Sequence, residues 1–260
     1  MITIHHQPIS SSQLSSSQFH GQYSDSILQQ LHNHPAVFNY SSYEELNFEV
    51  TMRNYIVVAA LNLYQSKASF ATFYYSRCNE RYWRLTNEGG FELKSGVRPS
   101  QAINDIFQNG DKYAFECATA MVIILYKAFI DTVSASVFDR LYPDVYLWDW
   151  NRDSNFPIIT ENVDGHGIIG DIRYFKNPDV NPRTPQWQGE NAIELPNGYY
   201  YGHGLGVLRA EQMIEELNEN RRVGATRSAY LMNDANRPYF AFLFRYSRQR
   251  YMETEPSSAV

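Results

Sequence analysis

One cysteine, one histidine and two glutamates are spaced along this chain so that they can support nucleophilic catalysis. Cys117 stands in GDKYAFECATAMVIIL, at the head of the most apolar stretch of the sequence. That stretch reads as a buried helix, and a helix N-terminus offers unpaired N–H groups and roughly half a positive charge, which favour an anion. A thiolate there has a depressed pKa and is the better nucleophile. The small Ala118, Thr119 and Ala120 leave room above the sulfur. Simple packing accounts for many buried cysteines too, so Cys117 alone does not decide the matter. Cys78, in the polar run YYSRCNERYW, reads as inert.

A nucleophilic thiol needs a base and a group that orients the base. His203 lies in the strand-like YYYGHGLG, between Gly202 and Gly204, where the missing side chains let another chain or a substrate approach. A cysteine at a helix head followed later by a histidine on a strand is the order of papain-like folds; the alternative is a histidine that packs near a turn. Glu116 directly precedes Cys117, and Glu190, in WQGENAIEL, comes thirteen positions before His203. If 187–195 and 199–205 form a hairpin, Glu190 falls near the tip of the far strand, but the spacing does not say whether it meets His203. Surface ion pairs explain both glutamates equally well.

The other histidines fit no such constellation. His5, His6, His20, His32 and His34 fall in or beside flexible N-terminal sequence, and the HNH at 32–34 has no partner cluster, so no metal site is expected. His166 sits in the glycine-rich turn DGHGIIGD; its GxGxxG pattern is flanked by acids that repel phosphate.

These residues must be positioned by a fold, and the hydrophobic pattern outlines one. The spacing predicts helices over 24–33, over 43–66 behind a Ser42/Glu45 capping box, over 100–108 and over 112–141. ATFYY at 71–75 reads as strand, with a turn at Gly89-Gly90. After Pro143 strand-like runs follow at 157–160, 168–175, 192–195, 199–205, 229–233 and 239–245, with one amphipathic helix at 209–222. Helices first and strands second, without alternation, mean α+β with a mainly antiparallel sheet, the long buried helix lying across one face. One domain spanning 1–260 is expected, with a flexible serine-rich lead-in over 8–18 and a frayed tail over 252–260.

Composition narrows the partners. Hydrophobic residues make up 43% of the 260, enough for a core, and aromatics reach 15%, which suits surfaces that grip peptides as well as any mixed core. The net charge is −6, no long basic run occurs, and nucleic acid is not an expected partner. Arg221, Arg222 and Arg227 read as a solvated helix end. Two cysteines are too few for a disulfide scaffold. The opening MITIHHQPIS shows no secretory signal, and the apolar run 118–125 is too short to span a bilayer, so synthesis in a cytosol and no membrane are expected.

The runs FECATAMVIILYKAF, WQGENAIELPNGYYYGHGLG and YLWDW resemble the spore-coat protein-glutamine gamma-glutamyltransferases of Bacillus-type bacteria, and the likeness covers nearly the whole chain. The resemblance implies a papain-like (NlpC/P60-like) α+β core. It also implies a calcium-independent, cofactor-free and monomeric enzyme that is made in the mother cell, deposited on the spore, and cross-links coat proteins through their glutamines and lysines. Carried onto this sequence, the nucleophile falls on Cys117, its carboxylate partner on Glu190 and its histidine on His203, with Glu116 as a partial substitute for Glu190. The resemblance further implies a tunnel open at two sides, with walls on Phe70, Trp150 and Trp187.

The reaction so implied is a ping-pong transfer: the thiolate displaces ammonia from a glutamine, and a lysine amine then takes the acyl group from the thioester. A carboxylate beside the sulfur raises the thiol pKa, so the resting pair is expected as thiol and carboxylate, with the helix terminus opposing. Aromatic walls would keep water from the thioester. A papain-like peptidase or amidase would use the same thiol, and an inactive structural coat protein needs none of this chemistry.

Overall fold

The computed structural model describes residues 1–14, 19 and 21–254. In the expected serine-rich lead-in, Pro8 ends a short strand, Ile9 is buried and Ser11–Gln13 form a 3-10 turn, while 15–18 lie outside the described residues. His20 and residues 255–260 of the expected tail also lie outside them, and 252–254 belong to the last helix.

The N-terminal part is helical, with short strands at its edges. Strands β1 (Ile2–Ile4), β2 (Gln7–Pro8) and β3 (Phe38–Tyr40) form a small sheet around helix α1 (Ser24–Asn33). Helix α2 (Tyr43–Gln65) starts as expected: the Ser42 hydroxyl accepts the Glu45 N–H at 3.2 Å. The Glu45 carboxylate reaches back one residue further than a capping box requires, accepting the Ser41 N–H at 2.6 Å. Next come β4 (Ser69–Phe70), the hairpin strands β5 (Trp83–Leu85) and β6 (Phe91–Leu93), and α3 (Pro99–Gln108). The strand expected at 71–75 is absent: Phe73–Tyr75 form a 3-10 turn that exposes Tyr74 and Tyr75.

The helix expected over 112–141 is three pieces. Its first residues form β7 (Ala114–Phe115), which pairs in parallel with β4, Phe70 opposite Phe115. Helix α4 (Cys117–Val133) then begins abruptly, and it ends at Ser134, whose φ of 147° no helix allows. The Ser134 hydroxyl accepts the Val137 N–H at 3.3 Å and so restarts the chain as α5 (Ala135–Leu141). Strand β7 is what makes Cys117 the first residue of α4.

The second half is the sheet. After β8 (Tyr146–Leu147) come β9 (Ile158–Asn162), β10 (Ile172–Lys176), β11 (Gly189–Glu194), β12 (Tyr199–Gly202) and β13 (Gly206–Arg209), helix α6 (Ala210–Glu219), β14 (Tyr230–Pro238) and helix α7 (Phe240–Thr254). Six strands pair antiparallel in the order β13-β12-β11-β10-β14-β9. The strand expected at 239–245 is the start of α7. Its buried Phe240 and Leu243, with Phe244 against Phe48 at 5.8 Å between ring centres, recur at helical spacing, which a short apolar run does not reveal by itself.

Helix α4 is buried along nearly its whole length and packs against α2 on one side and β11 on another. Beside it, Arg53 of α2, fully buried, holds Glu49 and Asp171 at 2.8 Å each, and Arg237 of β14 holds Asp171 at 2.6 Å. Burial pushes the Asp171 carboxyl up, but the two guanidiniums outweigh it and hold it below its usual range. Arg222 and Arg227 pair with buried Asp179 at 3.5 and 2.7 Å while staying half exposed, and the Arg221 guanidinium donates to the Arg227 carbonyl at 3.0 Å.

Candidate active site

The short β7 leaves Glu116 extended, as the residue that caps α4. One Glu116 oxygen accepts the Ala118 N–H at 2.8 Å, and the other lies 2.9 Å from the Cys117 sulfur as acceptor of its S–H. The helix terminus thus spends one of its donors on a carboxylate and not on the thiol. Cys117 is 5% exposed. Burial is the largest influence on its pKa, the charges of Glu190 and Glu116 add to it, and the thiol is held well above its ordinary value.

The hairpin expected around Glu190 and His203 is present, β11 against β12 with Ala192 opposite Gly202. Glu190 is buried, 3% exposed, and one of its carboxylate oxygens has no hydrogen-bond partner. Its carboxyl is pushed well above the usual range by burial and by the charge of Glu116, against the pull of the His203 backbone N–H. It therefore meets His203 at the backbone and not at the ring. The glycine at 202 has a use here: a Cβ would stand 2.8 Å from the Glu190 side chain. At 204, φ is +126° and a Cβ would press on the Phe70 ring at 3.2 Å.

The His203 ring is stacked on Phe115, 4.5 Å between centres, and its nitrogens face Tyr201 Oη at 3.0 Å and the Ser69 carbonyl at 3.1 Å. Both nitrogens are thus engaged away from the sulfur. Burial lowers its pKa to about 4, the carbonyls of Ser69 and Phe115 opposing, so the ring is neutral near pH 7.

Cys117 opens into a cleft of about 780 Å³ that also touches Glu116, Trp150 and Asn191. Its floor is one face of the large sheet, with Asn191 on β11, Tyr174 on β10, Asp234 on β14 and Thr160 on β9. Trp150 also lines this cleft. Phe70 and Trp187 are not part of this cleft; they stack on each other 6.2 Å apart. Asn191 was missing from the sequence reading. Its side-chain amide lies 3.6 Å from the sulfur and its backbone N–H also points there. Strand alternation puts Asn191 on the face opposite its neighbour Glu190, and only a known register shows which face meets Cys117. Among the described residues no group of three or more metal-binding side chains gathers here or elsewhere.

Comparison with known proteins supplies the family. The family model described as protein-glutamine gamma-glutamyltransferase matches residues 1–247. The chain belongs to the protein-glutamine gamma-glutamyltransferase family. Among relatives of that name, the Bacillus pumilus protein is 45% identical over 237 residues, covering 91% of this chain and 95% of the relative. The Bacillus subtilis protein is 46% identical over 222 residues, 85% of this chain and 90% of the relative. A solved structure, a transglutaminase from Geobacillus stearothermophilus without its C-terminal extension, is 47% identical with a TM-score of 0.76, covering 79% of this chain and 98% of that one. The α+β fold with a papain-like core is therefore that of a bacterial transglutaminase, and this chain is an acyltransferase of that kind. No helix among its described residues is long and apolar enough to cross a membrane.

Proposed function

We propose that this transglutaminase works through Cys117 with two carboxylic groups, Glu116 and Glu190, and that His203 positions rather than reacts. The observation that carries this is the 2.9 Å contact of the thiol with Glu116, set against the engagement of both His203 nitrogens by Tyr201 and Ser69. The thiol proton passes to Glu116 as the sulfur bonds to the γ-carboxamide carbon of a glutamine. Asn191 donates to the oxygen on which negative charge develops. Glu190, pushed toward its protonated form, gives a proton to the departing nitrogen, and ammonia leaves as the C–N bond breaks. A lysine amine then adds to the thioester, loses its proton to a carboxylate and expels the sulfur, which is reprotonated. Each glutamate can stand in part for the other, because both act on the same thiol.

Trp150 shields the thioester from water at the cleft, and the stacked Phe70 and Trp187 flank the other approach. We extend the reading to its finer parts: no calcium requirement, spore coat proteins as glutamine and lysine substrates, isopeptide cross-links between them, a monomeric enzyme and deposition on the spore. Incubation with a glutamine-bearing protein and a labelled primary amine, with and without a chelator, tests it. Amine incorporation with ammonia release, unaffected by the chelator and absent in Cys117→Ala, is the expected result. Backbone cleavage without incorporation would instead mark a peptidase.

A further inference from the structure

The 3-10 turn Phe73–Tyr75 holds two aromatic side chains out in solvent. Tyr74 is 88% exposed and Tyr75 72%. Their rings meet edge to face, 4.9 Å between centres, and among the described residues neither hydroxyl takes part in a hydrogen bond. A single apolar residue on a surface needs no explanation, but two adjacent tyrosines that bury so little forgo contacts that folding would otherwise use.

The turn itself is firmly held. The Tyr75 N–H donates to the Thr72 carbonyl at 2.9 Å and the Ser76 N–H to the Phe73 carbonyl at 3.3 Å. Behind them the Phe73 ring packs on Trp148, 5.5 Å between centres, and the Trp148 indole N–H donates to the Glu88 carbonyl at 3.2 Å. Gly89, with a φ of +86°, lies so close that a Cβ there would collide with the Phe73 carbonyl. The two tyrosines are thus presented on a fixed support, and a partner that meets them pays little for ordering the turn.

Their position says what that partner is. Thr72 and Phe73, which precede Tyr74 in the chain, line the cleft that holds Cys117, and so do Asp149 and Trp150, which follow Trp148. The turn and the tryptophan segment are therefore part of one rim. This family acts on glutamine side chains that belong to proteins. A side chain that reaches into the cleft leaves its main chain and its sequence neighbours at the rim. Tyrosine suits a surface that must grip them, being large, stiff, apolar on its faces and polar at its tip. Neither tyrosine carries a charge near pH 7, so the complement is apolar and not ionic. We propose that Tyr74 and Tyr75 are a docking surface for the protein substrate, taking an apolar or aromatic side chain close in sequence to the residue that enters the cleft. The inference rests on Cys117 as nucleophile of the glutamine–amine transfer, and it names a surface outside the reacting centre that selects which protein residues arrive there.

The test compares a protein substrate with a small one in Tyr74→Ser/Tyr75→Ser. Casein supplies glutamines and lysines within a polypeptide. Benzyloxycarbonyl-glutaminylglycine with pentylamine supplies the same two reacting groups with almost nothing around them. The readout is ammonia release at substrate concentrations below KM. The serine variant is expected to lose about threefold to thirtyfold in kcat/KM on casein, through KM, and to match wild type on the small pair. Tyr74→Phe/Tyr75→Phe keeps both rings and is expected to keep its activity on casein. Both tyrosines bury little, so both variants are expected to fold, with thermal midpoints like that of wild type. An unchanged casein rate in the serine variant, an equal loss on the small pair, or an equal casein loss in the phenylalanine variant would overturn the inference. So would sedimentation in which wild type self-associates and the serine variant does not, because the occupant would then be a second copy of this chain. Failure of wild type to release ammonia from either substrate would overturn the underlying reading instead, and this inference with it.

Discussion

The Cys117 sulfur and the Glu116 carboxylate, neighbours in sequence, face each other at 2.9 Å at the tip of a buried helix. A carboxylate in that position stabilises the thiol form and not the thiolate, and burial and Glu190 act in the same direction. The helix terminus, expected to favour a thiolate, is occupied by the same glutamate.

A neutral resting thiol has a measurable consequence. Alkylation of Cys117 by iodoacetamide is expected to be slow at neutral pH and to rise only above pH 9.0, the ordinary thiol value. In Glu190→Gln no negative charge can form beside the sulfur as pH rises, so the thiolate is less disfavoured and the rise is expected at lower pH. A rise well below pH 8 in wild type would mean an ion pair at rest.

Gly202 allows the Glu190 carboxylate to be displaced without being removed. In Gly202→Ala the new Cβ would come within 2.8 Å of that side chain, which must swing aside. Activity is expected to fall about tenfold to a hundredfold through kcat, with the thermal midpoint little changed, because alanine suits a strand at least as well as glycine. Unchanged kcat would remove Glu190 from the chemistry.

His203 separates support from catalysis. Its ring is neutral and hydrogen-bonded at both nitrogens, so His203→Gln is expected to cost stability and less activity than Glu190→Ala, measured per folded molecule. The pH dependence gives an independent check. The folded pKa is lowered from 6.5 to about 4, so the unfolded chain binds the proton more readily. Its stabilising effect is full above pH 6.5 and is lost as pH falls toward 4, by an amount of the order of 3 kcal/mol. Denaturant midpoints across that window should decline less in His203→Gln than in wild type.

Much of this was legible in the sequence. Helices α1, α2 and α3 carry caps, prolines and periodic apolar faces, and they lie where those signals put them. The papain-like core and the convergence of Glu116 and Cys117 followed from adjacency and the family likeness. Three features were hidden for physical reasons. The break at Ser134 depends on one residue capping two helices, inside a run apolar enough to pass for a single helix. The strand β7 is two residues long and is defined by pairing with β4, forty-five positions earlier, which local patterns do not report. The partners of His203 come from Ser69 and Tyr201, so its role depends on tertiary packing, which strand period and flanking glycines leave open.

The most direct test is to catch the acyl-enzyme. Mixing the protein with a glutamine peptide in the absence of amine, quenching in acid and digesting for mass spectrometry should reveal the peptide, less ammonia, attached at Cys117. The adduct should vanish on adding amine and never form in Cys117→Ala. An adduct at Cys78, or cross-linking that persists in Cys117→Ala, would contradict the account.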